Sequence, residues 1–245
     1  MKKWEQLPEE MRVPQVRKYY NILQRKWFSL AVKRTFDIVA SALLLILLSP
    51  VFIIIAVAIK KDSDGPVFFR QERVTRYAKR FRIFKFRTMV NNADKMGTQV
   101  TVGNDSRITR VGSKIRKYRL DEISQLIDVF RGTMTFVGTR PEVPKYVEKY
   151  TPEMRATLLL PAGITSEASI NYKDEDMLLE NAVDVDKTYV EKILPEKMKY
   201  NLRSIREFSL MNELRIMIKT VFAVVGIDLS GNRKKKKYVP CERRK

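Results

Sequence analysis

The sequence predicts an α+β chain: a mostly helical, membrane-associated domain with a small β-hairpin, entered through a re-entrant membrane helix broken at Ser49-Pro50. Three observations predict it. Ile38 to Ile59 are 22 consecutive residues without a charge. As a helix they would measure roughly 33 Å at about 1.5 Å per residue, close to the hydrocarbon thickness of a bilayer. Both flanks of this run are basic, with nine Lys/Arg against three Glu over residues 1–35 and ten against three acids over 60–90. Beyond it, two short aromatic-rich runs bracket a polar turn, which is hairpin patterning.

The flanks and the proline decide how the apolar run is used. Lys/Arg-rich flanks stay in the cytoplasm, and a single span cannot satisfy that rule at both ends. Pro50, almost at the midpoint, removes a backbone donor and clashes with the preceding turn. A helix that enters, turns at Ser49-Pro50 and leaves on the same side meets both constraints. A kinked single span with an indifferent charge balance is the alternative.

Composition narrows the chemistry. At 245 residues the chain can build one domain of ordinary size with a real core. A net charge of +20 suits nucleic acid, an anionic membrane face or a polyphosphorylated substrate. Beside the apolar stretch, membrane plus phosphate is the more economical pairing, and no nucleic-acid partner is expected. With no histidine, no His base, His metal site or Ser-His triad can form. Cys241, the single cysteine, excludes an intrachain disulfide or thiolate cluster. Catalysis is left to carboxylates, lysine, arginine, hydroxyls and a hard, oxygen-liking cation such as Mg²⁺. The apolar run begins too late and is too long for a cleavable signal.

In chain order, residues 1–35 mix basic and aromatic side chains, including Tyr19, Tyr20, Trp27 and Phe28, and read as an interfacial helix. Residues 36–60 hold the re-entrant helix, 61–204 the cytoplasmic catalytic domain, and 205–245 an amphipathic helix with a polybasic tail. Asp64-Gly65-Pro66 is turn chemistry. Val67–Phe69 and Phe81–Phe86 are strand-like, with a hairpin tip near Tyr77-Ala78-Lys79. Lys85 and Arg87 would project from one face near the strand's end. A loop with short turns, including Val102–Ser106, covers residues 91–110. Ile108 to Arg119 is helix-like and strongly basic. Asp121 and Glu122 then open a helix whose apolar face is Ile123, Leu126, Ile127 and Phe130, with Gly132 as its C′ stop. An Asp N-cap followed by Glu is equally compatible with a purely structural helix start.

Phe136–Pro144, by its glycine and two prolines, and Pro161–Thr165 read as rigid turns, the first fixing the direction of Arg140. Residues 171–200 read as a solvated helix. Ile205 to Ile227 is amphipathic, either a core helix or a surface-lying one. The tail, with Arg233–Lys237 and Arg243–Lys245, reads as a membrane-surface tether.

Lys85, Arg116 and Arg140 are the right types to hold a pyrophosphate, arginine offering bidentate contact. Asp121 could attack phosphorus, the cations and Mg²⁺ offsetting the repulsion between carboxylate and phosphate. No glycine-rich phosphate loop is present, so this constellation rests on residue types alone.

Four segments carry a resemblance. They are KRTFDIVASALLLILLSPVFIIIAVAIKKDSDGPVFFRQERV, FRIFKFRTM, ITRVGSKIRKYRLDEISQLIDVFRGTMTFVGTRPEVPKYVEKYTPEMR and PAGIT, over residues 33–166. In this order and spacing the chain resembles the bacterial sugar transferase family, the monotopic polyprenyl-phosphate phosphoglycosyl transferases. The resemblance implies a re-entrant helix broken at the Ser-Pro and a minimal catalytic form without further membrane helices. It implies transfer of a phosphosugar from a nucleotide diphosphate sugar, usually a UDP-sugar, to polyprenyl (undecaprenyl) phosphate at the cytoplasmic face of the bacterial inner membrane. The product would be the first lipid-linked intermediate of a surface polysaccharide or glycoconjugate. By the same resemblance Asp121 is the nucleophile and Glu122 its neighbour in Mg²⁺ or proton handling. Lys85, Arg116, Arg140 and Glu142 fall on substrate-binding positions. Thr139 and the run Ser166–Ile170 depart from the family pattern, and the second departure puts the sugar's identity in question. A homodimer is neither required nor excluded.

Two other classes compete. A polytopic carrier fails for want of further spans. A non-enzymatic, membrane-anchored basic protein that recruits anionic lipid or nucleic acid would use the cations by charge alone, and would tolerate Asp121→Asn.

Overall fold

Helix α1 (Pro14–Arg25) meets α2 (Trp27–Leu47) at Lys26, and α2 meets α3 (Ser49–Asp62) at Leu48, where the pair is bent by 61°. The structure is a computed structural model describing residues 1–91, 93, 105–172, 175, 179 and 184–224. Val102-Gly103-Asn104, everything after Val224, Cys241 and the basic tail lie outside the described residues. Pro50 has no N–H for the Ile46 carbonyl; the Ser49 hydroxyl donates to that oxygen instead, at 2.8 Å. The Ser-Pro pair thus breaks the helix without orphaning an acceptor. No single helix among the described residues is long and apolar enough to cross a membrane.

The two helices leave a broad apolar face exposed, with Leu43, Ile46, Leu47, Ile53 and Ile54 outermost. The opposite stripe of α2 is polar and buried: Lys33, Asp37 and Ser41. Its partner is β3 (below), against which the helix lies.

The hairpin pairs β1 (Phe68–Val74) with β2 (Arg80–Phe86) antiparallel, Phe68 opposite Phe86 and Val74 opposite Arg80. Its tip is at Tyr77 and Ala78, both with φ near +60° (59° and 56°). Phe86 packs with Ile55 and Ile59 of α3 and with Ile115 of α4 (Arg110–Lys117). Arg87 does not project beside Lys85 as expected. It is buried, and donates to the carbonyls of Asp64 (2.8 Å) and Ser63 (2.6 Å), tying the hairpin to the end of α3.

A 3₁₀ turn (Leu120–Gln125) runs into α5 (Leu126–Arg131), which stops at Gly132 with φ 84°. Its buried apolar residues are Leu126 and Val129, whereas Phe130 is exposed, so the apolar face is rotated from the expected one. Arg34 of α2 donates to the last carbonyls of α5, at Val129 (2.7 Å) and Phe130 (2.9 Å). A cation there also meets the negative end of the helix dipole.

Pro161–Thr165, read as a rigid turn, is a strand from Ala162 on, and Phe136–Pro144 starts as the end of another strand and then runs without regular structure from Gly138 to Val143. β3 (Met134–Val137) pairs in parallel with β4 (Ala162–Thr165), flanking α6 (Pro144–Val147) and a second 3₁₀ turn (Met154–Leu159). The ladder continues through Gly138 N–H to Thr165 and Gly163 N–H to Thr139, both 2.9 Å. The backbones touch here: a Cβ on Gly163 would sit 2.1 Å from the Gly138 nitrogen. Gly163→Ala should therefore force the strands apart at a cost of about 1–3 kcal/mol, read as a lowered Tm. An unchanged Tm would contradict this close approach. Because Gly138 leads to Arg140 within two residues, the same change should disturb the site below.

After α7 (Glu167–Asn171), α8 (Val185–Thr188) continues through a π-helical turn (Tyr189–Ile193) into α9 (Leu194–Arg206). This segment is not solvated as expected. Tyr189, Ile193, Leu194, Met198, Leu202 and Ile205 are buried in the main core with Val16, Tyr19, Tyr20 and Leu23 of α1. Tyr19 and Tyr20 thus face protein, and it is Trp27 and Phe28 that are exposed. α10 (Leu210–Val224) follows a break; Phe208 is buried before it, and Met211, Leu214, Ile218 and Val221 lie exposed along it.

Candidate active site

The Asp121-Glu122 turn is held against β2 by one residue's backbone. Ser124 Oγ donates to the Phe84 carbonyl at 3.1 Å, and the Phe84 N–H donates to buried Asp128 at 2.8 Å. These side chains occupy backbone groups on β2's free edge, and the docking brings Lys85, one residue on, beside Glu122. The turn begins abruptly because Arg119, two residues before Asp121, adopts a left-handed conformation (φ 53°) just after α4 ends at Lys117. Such conformations are costly for non-glycine residues and cluster at functional sites. Asp121 is therefore not the N-cap; both carboxylates lie inside the first 3₁₀ turn.

Glu122 is the electrostatic centre. Lys85 Nζ lies 3.1 Å from its Oε1, and Arg140 binds both carboxylate oxygens, NH1 at 3.3 Å from Oε2 and NH2 on Oε1. Burial alone would raise the Glu122 pKa, but the Arg140 and Lys85 charges overcome it and hold it well below the usual carboxylate range. A depressed folded-state pKa stabilises the fold above the ordinary Glu range, and that contribution is lost as pH falls through the lowered value. Arg140 is raised in turn, chiefly by Glu122. Lys85 is lowered by burial, with Glu122 opposing.

Asp121 differs from its neighbour. Among the described residues no side-chain donor hydrogen-bonds its carboxylate, and burial pushes its pKa up, with the Glu122 charge adding and Lys85 and Arg116 opposing. Two adjacent carboxylates are thus set apart, one locked to cations and one unengaged. That division suits a nucleophile beside a fixed electrostatic anchor.

Lys85, Arg116, Asp121, Glu122, Arg140 and Glu142 all line one cavity of about 880 Å³. The six expected positions are therefore brought together. Glu142 stands on a wall of its own: its Oε1 accepts from Tyr189 at 2.5 Å and lies 3.5 Å from Lys197 Nζ. Lys197 also pairs with Glu175 at 2.8 Å. Sequence reading missed Arg73, Glu175, Tyr189 and Lys197 as lining residues. Arg73 was readable once the hairpin tip was placed, since Phe69 opposes Lys85 and Arg73 opposes Phe81 on that same face. Tyr189 and Lys197 left no such signal, because only the π turn brings them into register.

No cluster of three or more potential metal-binding side chains occurs among the described residues. Mg²⁺ takes one or two carboxylates and completes its shell with water and substrate phosphate, so the pair fits it. Asp121 is the free donor; Glu122 would hold the ion only by releasing a cation.

The raised Asp121 pKa carries a pH prediction. If its carboxylate is the reacting form, the acid limb of kcat/KM should lie above the usual Asp range near about 3.9. Arg116→Gln, which removes an opposing cation, should move that limb to higher pH. An unmoved limb would contradict the assignment.

Sequence comparison bears on the same residues. The chain is 38% identical over 196 residues to the UDP-glucose:undecaprenyl-phosphate glucose-1-phosphate transferase of Escherichia coli (strain K12), covering 78% of this chain and 39% of that protein. It is 34% identical over 197 residues to the UDP-N-acetylgalactosamine-undecaprenyl-phosphate N-acetylgalactosaminephosphotransferase of Aeromonas hydrophila, covering 79% and 44%. It is 32% identical over 212 residues to the undecaprenyl-phosphate galactose phosphotransferase of Salmonella typhimurium, covering 80% and 41%. The chain spans about two fifths of the length of these relatives. The bacterial sugar transferase family profile matches residues 28–226, which include the bent helix pair, the hairpin and every residue of the site; the chain belongs to that family.

Proposed function

We propose that this chain transfers a phosphosugar from a UDP-sugar to polyprenyl phosphate through a covalent aspartyl intermediate, releasing UMP. The observation that carries the reading is the convergence of an unengaged Asp121, a cation-locked Glu122, Lys85, Arg116 and Arg140 on one cavity. The relatives' names, which pair undecaprenyl phosphate with glucose, galactose or N-acetylgalactosamine phosphate transfer, supply the substrate classes.

In the first step an Asp121 carboxylate oxygen attacks the sugar-bearing phosphorus. The bond from that phosphorus to the bridging oxygen breaks, and UMP leaves with the electron pair. In the second step an oxygen of polyprenyl phosphate attacks the same phosphorus, and the Asp121 carboxylate departs. Lys85, Arg116 and Arg140 offset the negative charge that would repel each attacking oxygen. Glu122 keeps Lys85 and Arg140 oriented. Mg²⁺, when bound, supplies further neutralisation at the diphosphate.

The membrane helix is read as re-entrant at the cytoplasmic face of the bacterial inner membrane. Between Ile38 and Leu48, and again between Ser49 and Ile59, each apolar arm has about ten residues, or about 15 Å of helix. That is about half the ~30 Å hydrocarbon core, so the arms dip in and return.

The test is release of UMP from a panel of UDP-sugars by the detergent-purified chain with Mg²⁺ and undecaprenyl phosphate. Release with one or two sugars is expected. Silence across the panel, with folded protein, would contradict the reading.

A further inference from the structure

Lys85, Arg116 and Arg140 gather beside Asp121, whereas the wall formed by Glu142, Glu175, Tyr189 and Lys197, with Arg73 beside Glu142, sets two carboxylates among two cations. None of these four is used in the chemistry above, yet they form one hydrogen-bonded chain. Tyr189 donates to Glu142 at 2.5 Å, and Lys197 donates to Tyr189 at 3.0 Å and to Glu175 at 2.8 Å.

The backbone is shaped to make this chain. Eight residues separate Tyr189 from Lys197, which in an uninterrupted α-helix would leave them about 80° apart at about 3.6 residues per turn. The π-helical turn Tyr189–Ile193 absorbs one extra residue and restores them to one face. Lys197, almost wholly buried, then fixes both carboxylates by one oxygen each. Glu142 Oε2 and Glu175 Oε1 accept no hydrogen bond among the described residues, and Glu175 is the more exposed of the two carboxylates, at 24% against 8%.

Two unspent carboxylate oxygens on a wall whose charges are otherwise paired suit hydroxyl donors. Resting on the donor proposed above, we infer that this wall reads the sugar of the nucleotide diphosphate sugar, with Glu175 as the specificity-determining residue. Glu142 and Lys197 position it. Ribose offers the same hydroxyl chemistry, but the phosphorus attacked by Asp121 is the one that bears the sugar. Glu142 lies two residues from Arg140, which is bound to Glu122, and the Glu142 and Glu175 charges both act on the Arg140 guanidinium, so the wall adjoins the cation that holds the reacting pair.

The test compares binding of UDP and of the preferred UDP-sugar to the 245-residue chain, in wild type, Glu175→Gln and Tyr172→Leu. Tyr172 lines the same cavity from the end of α7. Glu175→Gln should weaken the UDP-sugar by about tenfold, as for one hydrogen bond to a charged acceptor, leave UDP within about twofold, and narrow the kcat/KM ratio between two UDP-sugars. Tyr172→Leu should follow the same pattern. Equal weakening of UDP and UDP-sugar would assign the wall to ribose and overturn the inference, as would no change in either. If wild type engages no UDP-sugar at all, it is the functional reading that fails, and this inference with it.

Discussion

Asp121→Asn should reduce UMP release by at least about a thousandfold, because the amide is no nucleophile and the covalent route is lost. The same change should leave the fold intact and raise Tm. Burial disfavours the Asp121 charge, so at neutral pH the ionised folded state carries a penalty that the neutral, isosteric Asn removes. Activity gained at a cost in stability is common where a site holds an unfavourable group. Loss of activity with a lowered Tm would instead mark Asp121 as structural. Retained UMP release would show that Asp121 is not the nucleophile.

The second large effect lies away from the chemistry. Lys33 is buried in α2, donates to the Val137 carbonyl at 2.9 Å and pairs with Glu213 of α10. One turn on, Asp37 accepts from the Thr135 hydroxyl at 2.6 Å and the Phe136 N–H at 3.4 Å. Together they fasten α2 to β3, the strand that leads into Arg140. Lys33→Met leaves Glu213 buried without its cation and should cost about 3–5 kcal/mol. Lys33→Met combined with Glu213→Leu should recover most of that loss, because neither charge is then stranded. Thermal unfolding in detergent reads both; a double variant no more stable than the single would contradict the pairing.

Local chemistry made much of this molecule legible. The Ser49-Pro50 break, the hairpin tip, the basic helix before Asp121 and the Gly132 stop each rest on residues acting within a few positions of themselves. What escaped depends on distance. β3 and β4 are four residues each, and their pairing needs Gly138 to meet Gly163 across the intervening chain, so neither reads as a strand alone. Lys33 and Asp37 fall just before the uncharged run and look like flank, although burial makes them its inner stripe. The 185–206 segment reads as solvated because its charges are plentiful, while the π turn gathers Tyr189 and Lys197 inward. At the site, residue types showed which groups to suspect. Only the packing showed that Glu122 is engaged and Asp121 is not.

Whether Asp121 is the nucleophile is read by intact-mass analysis of the chain mixed with its UDP-sugar and Mg²⁺ without polyprenyl phosphate. Stoichiometric release of UMP is expected, with an adduct of one phosphosugar on the peptide that contains Asp121, discharged when polyprenyl phosphate is added. UMP formed only when the acceptor is present, with no adduct trapped, would mean direct displacement and contradict Asp121 as nucleophile.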